Sequence, residues 1–469
     1  MKVKFFCLPF IFCLLVACSG VKNLTPADLD MPDQLVKGLQ MDTLTIADMG
    51  WWEFYGDTCL LKIIERTLAD NKRMQMAAQR VEQAQLIYKV DKAELLPELS
   101  FRLPWNNETN DYYEEVRLRD PEIGVKATIG WEADLFGRLR WNKKKSYSQY
   151  LATIEDERAM RMVLVAEAAT AYFRLVALDN ELAIVKSTME TRKEGVRLAK
   201  LRFDGGLTSE TVYQQALVQY STAAALIPNL EYNIQVMENV IALLMGAYPD
   251  EEIKRASSLK DNTLPDRIPL GLPSTLLERR PDLRASEERL RASVANVGMA
   301  YANRFPRMVI ELTGGWEDND FVNLFKSPFS YVAENFTAPL FDFGRRKNRY
   351  KAAVAAYEEA RLSYENNVLE AFKEVNDALS RYDNARKAVV LQSELLDAAY
   401  KYQDLTWKQY QGGTINYIDV LDAQRRYLEA QIARTNAIRD EHLALIQLYK
   451  SLGGGWTVAQ GTEAPLNGE

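Results

Sequence analysis

Two stretches of this chain are copies of one another, and the copy keeps its frame. Phe136-Gly137-Arg138 recurs 207 positions on as Phe343-Gly344-Arg345. Gly205-Gly206 recurs as Gly412-Gly413, Ala216 as Ala423, Tyr220 as Tyr427 and Gly246 as Gly453. The offset holds without net insertion over roughly 110 residues, the mark of a duplicated structural unit. Each copy reads as a strand-like segment, a long helical pattern, a double-glycine break and a second helical pattern. A chain that alternates very long helices with a few isolated strands, twice, does not have the architecture of an ordinary globular enzyme.

Composition narrows the function classes. The formal net charge of the 469 residues is −7, which gives no reason to expect a nucleic-acid partner. The one histidine, His442, sits in a helical pattern and reads as a helix-face residue, so histidine-based acid–base chemistry and His-rich metal sites are not expected. No nucleophile–base pair and no metal-ligand cluster stands out, so the chain does not read as an enzyme. Residues 1–17 read as a targeting segment: Lys2 and Lys4 are followed by an apolar run from Phe5 to Val16, too short to span a bilayer. It ends in Leu15-Val16-Ala17-Cys18, which resembles a bacterial lipobox and would make Cys18 an acylated first residue. Ser19 follows, which by analogy favours the outer membrane. Cys7 and Cys13 leave with the signal, so Cys59 has no partner and no structural disulfide is expected. Apart from the lipid at Cys18, no cofactor is expected.

Residues 18–50 are rich in Pro and Asp and read as an extended tether; Trp51-Trp52-Glu53-Phe54 opens the folded part. Leu60–Leu96 has helical spacing through Ile63, Ile64, Leu68, Met74, Ala77, Ala78, Val81 and Ala84, and Pro97 ends it. Leu99–Trp105 is a strand candidate. A clearer one follows, where Ile123, Val125, Ala127, Ile129, Trp131 and Ala133 alternate with more polar residues. That length and one-sided apolarity suit a tilted transmembrane β-strand of about 9–11 residues. Arg138–Phe203 reads as one helix of about 100 Å at 1.5 Å per residue. Ser209–Leu244 reads as a shorter helix that Pro228 should kink. Residues 247–272 form a linker. The second half then reads as helix Ser274–Asn303, a stop at Phe305-Pro306, strands Met308–Trp316 and Phe329–Leu340, and helices Gly344–Tyr410 and Ile415–Ser451. Each long helix is about the length of two shorter ones, so it could pair with two of them. Residues 51–246 and 273–455 are the two repeats, and 456–469 is a tail.

Four amphipathic strands cannot close a membrane barrel, whose smallest examples have about eight. An open edge cannot face lipid, where its backbone groups would find no water. Several chains must therefore pool their strands: two would give eight and three would give twelve.

Gly271-Leu272-Pro273-Ser274-Thr275-Leu276-Leu277-Glu278-Arg279-Arg280-Pro281-Asp282-Leu283-Arg284 resembles the inter-repeat signature of outer-membrane efflux lipoproteins, the OprM/NodT/CusC branch of the TolC-like proteins. Trp51-Trp52, Leu135-Phe136-Gly137-Arg138, Tyr410-Gln411-Gly412-Gly413-Thr414 and Asp419-Val420-Leu421-Asp422-Ala423-Gln424 match the same pattern, which covers essentially the whole mature chain. The resemblance implies a mainly α fold with membrane β: a homotrimer whose twelve strands form an outer-membrane β-barrel, continued by a periplasmic α-helical barrel. It implies a channel that docks with a periplasmic membrane-fusion adaptor and an inner-membrane pump, commonly of the RND type, and does no chemistry itself. Gly205, Gly206, Gly412 and Gly413 then become the periplasmic tips of two hairpins, which in the family meet the adaptor.

Asp419 and Asp422 match the family's tunnel-constriction aspartates. At i and i+3 they share a helix face, so three chains would bring six carboxylates into a cation-attracting ring. The other reading is two solvated first-turn residues favoured by the helix dipole. Ile415 stands where relatives carry a gate arginine, and Val212 where an aspartate often sits, which leaves Tyr410 to pack or hydrogen-bond at the constriction. Two further functions stay open from sequence: the exit duct of a type I protein secretion system, and a soluble periplasmic coiled-coil scaffold. The cargo is not legible.

Overall fold

The computed structural model describes residues 45–110, 118–249, 252–256, 273–338 and 341–457. Cys18, the signal, most of the tether and most of the linker lie outside the described residues. Along the chain run α1 (Trp51–Tyr55), α2 (Thr58–Asp70), α3 (Lys72–Ala93), β1 (Glu98–Arg102), β2 (Trp105–Asn110), β3 (Leu118–Ala133), α4 (Arg138–Asp204) and α5 (Glu210–Leu244). The second half supplies α6 (Pro273–Arg279), α7 (Pro281–Ala302), β4 (Arg307–Asp318), β5 (Pro328–Thr337), α8 (Arg345–Gln411) and α9 (Tyr417–Ser451). Two compact units share this chain. One holds Gln79–Glu155 and Ala285–Asn367; the other holds the remaining described residues, with α4 and α8 contributing to both.

The first unit carries the sheet, which is antiparallel throughout. β1 and β2 both pair with β3, one after the other, so the predicted first strand is a ribbon interrupted at Leu103-Pro104. Proline has no amide to give a ladder, and there Gly124 N–H donates instead to the Pro104 carbonyl at 3.0 Å. The five segments thus form four ribbons, in the order β1/β2, β3, β4, β5. Registered pairs put Leu99, Phe101 and Trp105 beside Ile129, Ala127 and Ile123, and Ile129 beside Leu312 and Val332 in turn. This face is apolar and open to its surroundings: Leu99 is 72 % exposed and Trp105 76 %. The other face is polar. Lys126 bridges Glu122 and Glu317 at 2.7 and 2.9 Å, and the Thr128 and Thr313 hydroxyls meet at 2.9 Å. β5 alternates less cleanly and sets Glu334 on the apolar side opposite Ile310. Below the sheet, α3 packs on α4 through Tyr88 with Tyr147 and Tyr150, and α7 meets α8 through Asn367 and Ser286.

In the second unit the long helices take their other partners. Val185 of α4, Leu230 of α5 and Leu428 of α9 make one cluster, and Tyr400 of α8 packs against Tyr427 of α9. Each long helix therefore does pair with two shorter ones. Leu60, Ile64, Leu164, Leu175 and Leu448 are buried, and His442 lies on a buried face of α9, stacked 4.5 Å from Phe173. The Trp51-Trp52-Glu53-Phe54 opening is held by Phe54, stacked on Tyr449 at 4.1 Å.

Two predicted helices are broken. Leu60–Leu96 divides at Asn71, whose backbone is extended, and Ser274–Asn303 divides at Arg280. The cause is tertiary. Gly246, with φ +70°, closes α5 so tightly that an added Cβ would lie 2.4 Å from the Asp70 carbonyl oxygen. Gly453, with φ +86°, closes α9 against the Arg279–Arg280 peptide in the same way. The break residues then serve the ends of those helices, whose last carbonyls lack intrahelical partners. Asn71 donates its amide to Leu244 O at 2.7 Å, and Arg280 its guanidinium to Ser451 O at 3.3 Å. Pro281, at the first position of α7, needs no amide there. Pro228 lies inside α5, which continues through it to Leu244.

Candidate functional site

The double glycines end the two long helices in the same way. Gly206 has φ +71° and Gly413 φ +74°, a left-handed conformation that only glycine enters without strain. Leu207 N–H reaches back to Arg202 O at 2.8 Å, and Thr414 N–H to Gln409 O at 3.0 Å, closing the last turn of each helix. Nothing lies within 4 Å of a Cβ built on Gly206 or Gly413, so backbone conformation and not crowding demands the glycine. Gly205 and Gly412 have ordinary backbone. After the turn, Ser209 and Asn416 stand at the N-cap positions of α5 and α9.

The two tips touch through an arginine that the sequence reading passed over. Arg202, one turn before the first double glycine, donates to the Tyr410 hydroxyl at 2.5 Å and lies 5.4 Å from the centre of its ring. Tyr410 also packs against Tyr417, ring centres 5.2 Å apart. Burial, and then the neighbouring Tyr410, push the Tyr417 phenol above its ordinary pKa. Gly195 makes room for it: an added Cβ would stand 3.1 Å from the Tyr417 hydroxyl.

The two aspartates are placed differently from each other. Asp419 is exposed and accepts from Asn416 N–H at 3.2 Å, so it caps its own helix. Asp422 is half-buried and clamped by Arg425 at 2.6 Å and Arg426 at 2.7 Å. Hydrogen bonds from Arg426 and then Arg425 hold its carboxyl below the usual range. Asp422 and Arg425 border a groove of about 370 Å³ between α5 and α9, with Gln215, Val218 and Leu421. The arginines stand at i+3 and i+4 from Asp422, a spacing that could have disclosed the clamp. Ile415 and Val212 are half-buried.

The inter-repeat signature has a structural cause. Arg280 is 6 % exposed and grips Asp282 with two nitrogens, at 2.6 and 3.1 Å, while a third reaches Glu374 at 2.6 Å. Burial works against its charge, yet Asp282 and Glu374 raise its pKa above the ordinary value. The signature is a bolt between α7, α8 and α9.

The outer membrane efflux protein family profile matches residues 63–247 and 272–454. The chain belongs to that family. It is 30 % identical over 471 aligned positions to the solvent efflux pump outer membrane protein SrpC of Pseudomonas putida, covering 98 % of this chain and all of that one. It is 27 % identical to the cation efflux system protein CusC of Escherichia coli, over 96 % of this chain and 98 % of that one. A crystal structure of a membrane protein from Pseudomonas aeruginosa, 28 % identical, superposes with a TM-score of 0.87 over 93 % of this chain and all of that one. The duplicated TolC-like fold is thereby established. Among the described residues no helix is long and apolar enough to cross a membrane.

Proposed function

We propose that this chain is the outer-membrane exit duct of a tripartite efflux system, assembled as a homotrimer and served by a periplasmic adaptor and an RND-type inner-membrane pump. One observation carries the reading. The four-ribbon sheet has an exposed apolar face, a polar face, and two unpaired edges, along β1/β2 and along β5. Such a sheet is stable in lipid only if copies join edge to edge. Three copies make twelve ribbons around a water-filled lumen, polar face inward.

A half-filled repeat contact supports the assembly. Phe136, after β3, stacks on Phe305 at 4.7 Å. Its duplicate Phe343 is 89 % exposed, and Leu96, the residue before Pro97 as Phe305 is before Pro306, is exposed too. A second copy bringing Leu96 to Phe343 completes the series. Cys18 anchors the chain through its lipid, a reading supported by Leu15-Val16-Ala17-Cys18. The tips at Gly205, Gly206, Gly412 and Gly413 meet the adaptor, and Tyr410, Asp419 and Asp422 line the closed end of the duct.

The purified protein, inserted in planar bilayers, should give stepwise single-channel currents, and native mass spectrometry should give three chains per particle. Cells lacking the gene should accumulate more of a fluorescent dye than their parent. A water-soluble single chain after removal of Cys18 would overturn the reading.

A further inference from the structure

We propose that the groove between α7 and the first turns of α8 is a binding subsite for a small amphiphilic organic anion: a carboxylate, sulfonate or phosphate on an apolar body. The proposal deepens the exit-duct reading by giving the lumen a chemical preference.

The groove measures about 560 Å³, within the range of small-molecule sites. Arg307, Arg345, Arg346 and Arg349 line one part of it; Met299, Ala300, Ala352, Ala353 and Ala356 line the rest. Arg346 lies 3.6 Å from Asp342 and donates to Asn303 O. Arg307 donates only to the neutral Asn303 side chain, at 2.9 Å. Among the described residues, Arg307, Arg345 and Arg349 make no ion pair. Cations at the N-terminus of a helix also oppose its dipole, and α8 has no acidic residue in its first turn. The Asp342 carboxylate already takes the Gly344 and Arg346 amides at 3.1 Å each, so what the groove offers an anion is the three guanidiniums without an ion pair, matched to a carboxylate or phosphate fork.

The duplication supplies an internal control. The first half's strand segment is two residues longer, so positions before it correspond at an offset of 209 (Glu98 to Arg307) and those after it at 207 (Arg138 to Arg345). In that frame Ala300 replaces Asp91, Asn303 replaces Glu94, Arg307 replaces Glu98, and Arg349 replaces Asn142. In the first half Asn142 donates to Asp91 at 3.0 Å, and Arg138 is paired with Glu132 at 2.9 Å. The same backbone thus holds an acidic groove in one repeat and a basic one in the other. Arg346 likewise replaces Leu139, and Ala352 replaces Lys145, so three acidic positions are lost and three arginines gained for one lysine, although the chain as a whole is acidic.

Strand alternation decides the source of the anion. Arg307 shares the face of Glu311, Thr313 and Glu317, the polar one, opposite the apolar band of Ile310, Leu312 and Trp316. A water-borne anion reaches that side; a lipid head group belongs to the other.

Naphthalene-1-sulfonate, titrated calorimetrically into the full-length protein in a nonionic detergent, should bind saturably at one site per chain, and the cation 1-naphthylmethylammonium should not. Replacing Arg345→Gln and Arg349→Gln should weaken binding about tenfold or more for each guanidinium, with Lys347→Gln, outside the groove, unchanged. Ala300→Asp with Arg349→Asn, which installs the first half's own pair, should abolish binding and leave the melting temperature in place. Undiminished binding in the double glutamine variant, or equal binding of the two probes, overturns the proposal. So does co-purification of phosphatidylglycerol that needs Arg345 and Arg349 without saturable naphthalenesulfonate binding, which would make the groove a head-group site. Bilayer conductance separates the two readings: a conducting protein that does not bind the probe refutes the subsite alone, and a non-conducting one refutes the duct.

Discussion

At the break before α3, Asn71 gives its amide to the last carbonyl of α5; at the matching break before α7, Arg280 gives its guanidinium to the last carbonyl of α9. The geometry is duplicated and the chemistry is not. Asn71 is a neutral donor with one long-range partner, whereas Arg280 also binds Asp282 and Glu374. The tips repeat the lesson. In the first, Val212, Gln215, Val218 and Gln219 occupy the positions that Asp419, Asp422, Arg425 and Arg426 hold in the second. The two repeats share a backbone and differ in where charge sits: the second carries more at its break and its tip, and at the α7–α8 groove it has arginines where the first has acids.

The largest difference should appear at the breaks. Arg280→Ala strands the Ser451 carbonyl, at about 1–2 kcal/mol, and also ends two ion pairs whose carboxylates, Asp282 and Glu374, are 42 % and 48 % exposed, at up to about 1 kcal/mol each. Asn71→Ala removes one neutral hydrogen bond and strands the Leu244 carbonyl, at about 1–2 kcal/mol. Thermal unfolding in detergent would rank them; equal losses would mean that the ion pairs of Arg280 add nothing to the carbonyl cap.

Next comes the charged tip. Because Asp422 is clamped by two arginines and Asp419 is not, Asp422→Ala should shift selectivity towards anions further than Asp419→Ala, by freeing Arg425 and Arg426. Reversal potentials in a salt gradient measure this, and a larger shift for Asp419→Ala would assign the ring to Asp419 alone. The pH dependence has a sign. The lowered pKa of Asp422 means that its pairing is complete above the ordinary carboxylate range, about 3.9, and is lost only as pH falls through the lowered value. Selectivity due to Asp422 should therefore survive acidification from pH 7 to about 4.5.

Much of this organisation is legible in the sequence because it is local. The helix ends at the double glycines and the period-two pattern of β3 follow from nearest-neighbour chemistry, and the 207-residue frame is read directly from recurring residues. What escaped reading depends on residues far apart in the chain. The apolar spacing from Ile63 to Met74 runs unbroken through Asn71, and only the approach of Gly246 to Asp70, across 176 positions, forces the break. The split at Leu103-Pro104 was masked by the apolar residues on either side. Arg202 carries no motif, and its partner Tyr410 lies 208 positions away.

The smallest effect should come from that last contact. At the duplicate position of Tyr410 stands Phe203, which stacks on Tyr213 with ring centres 6.3 Å apart and has no hydroxyl to offer. Tyr410→Phe therefore makes the second tip resemble the first: the ring stays over Arg202 and beside Tyr417, and only the 2.5 Å hydrogen bond is lost. An exposed hydrogen bond to a charged donor is worth about 1 kcal/mol, so open probability in bilayers should rise about fivefold with no change in melting temperature. Arg202→Ala, which also removes the cation over the ring, should open the channel somewhat more. If Tyr410→Phe gated like the parent while Arg202→Ala opened freely, the arginine would hold the tips through the ring face, and the hydroxyl would be incidental.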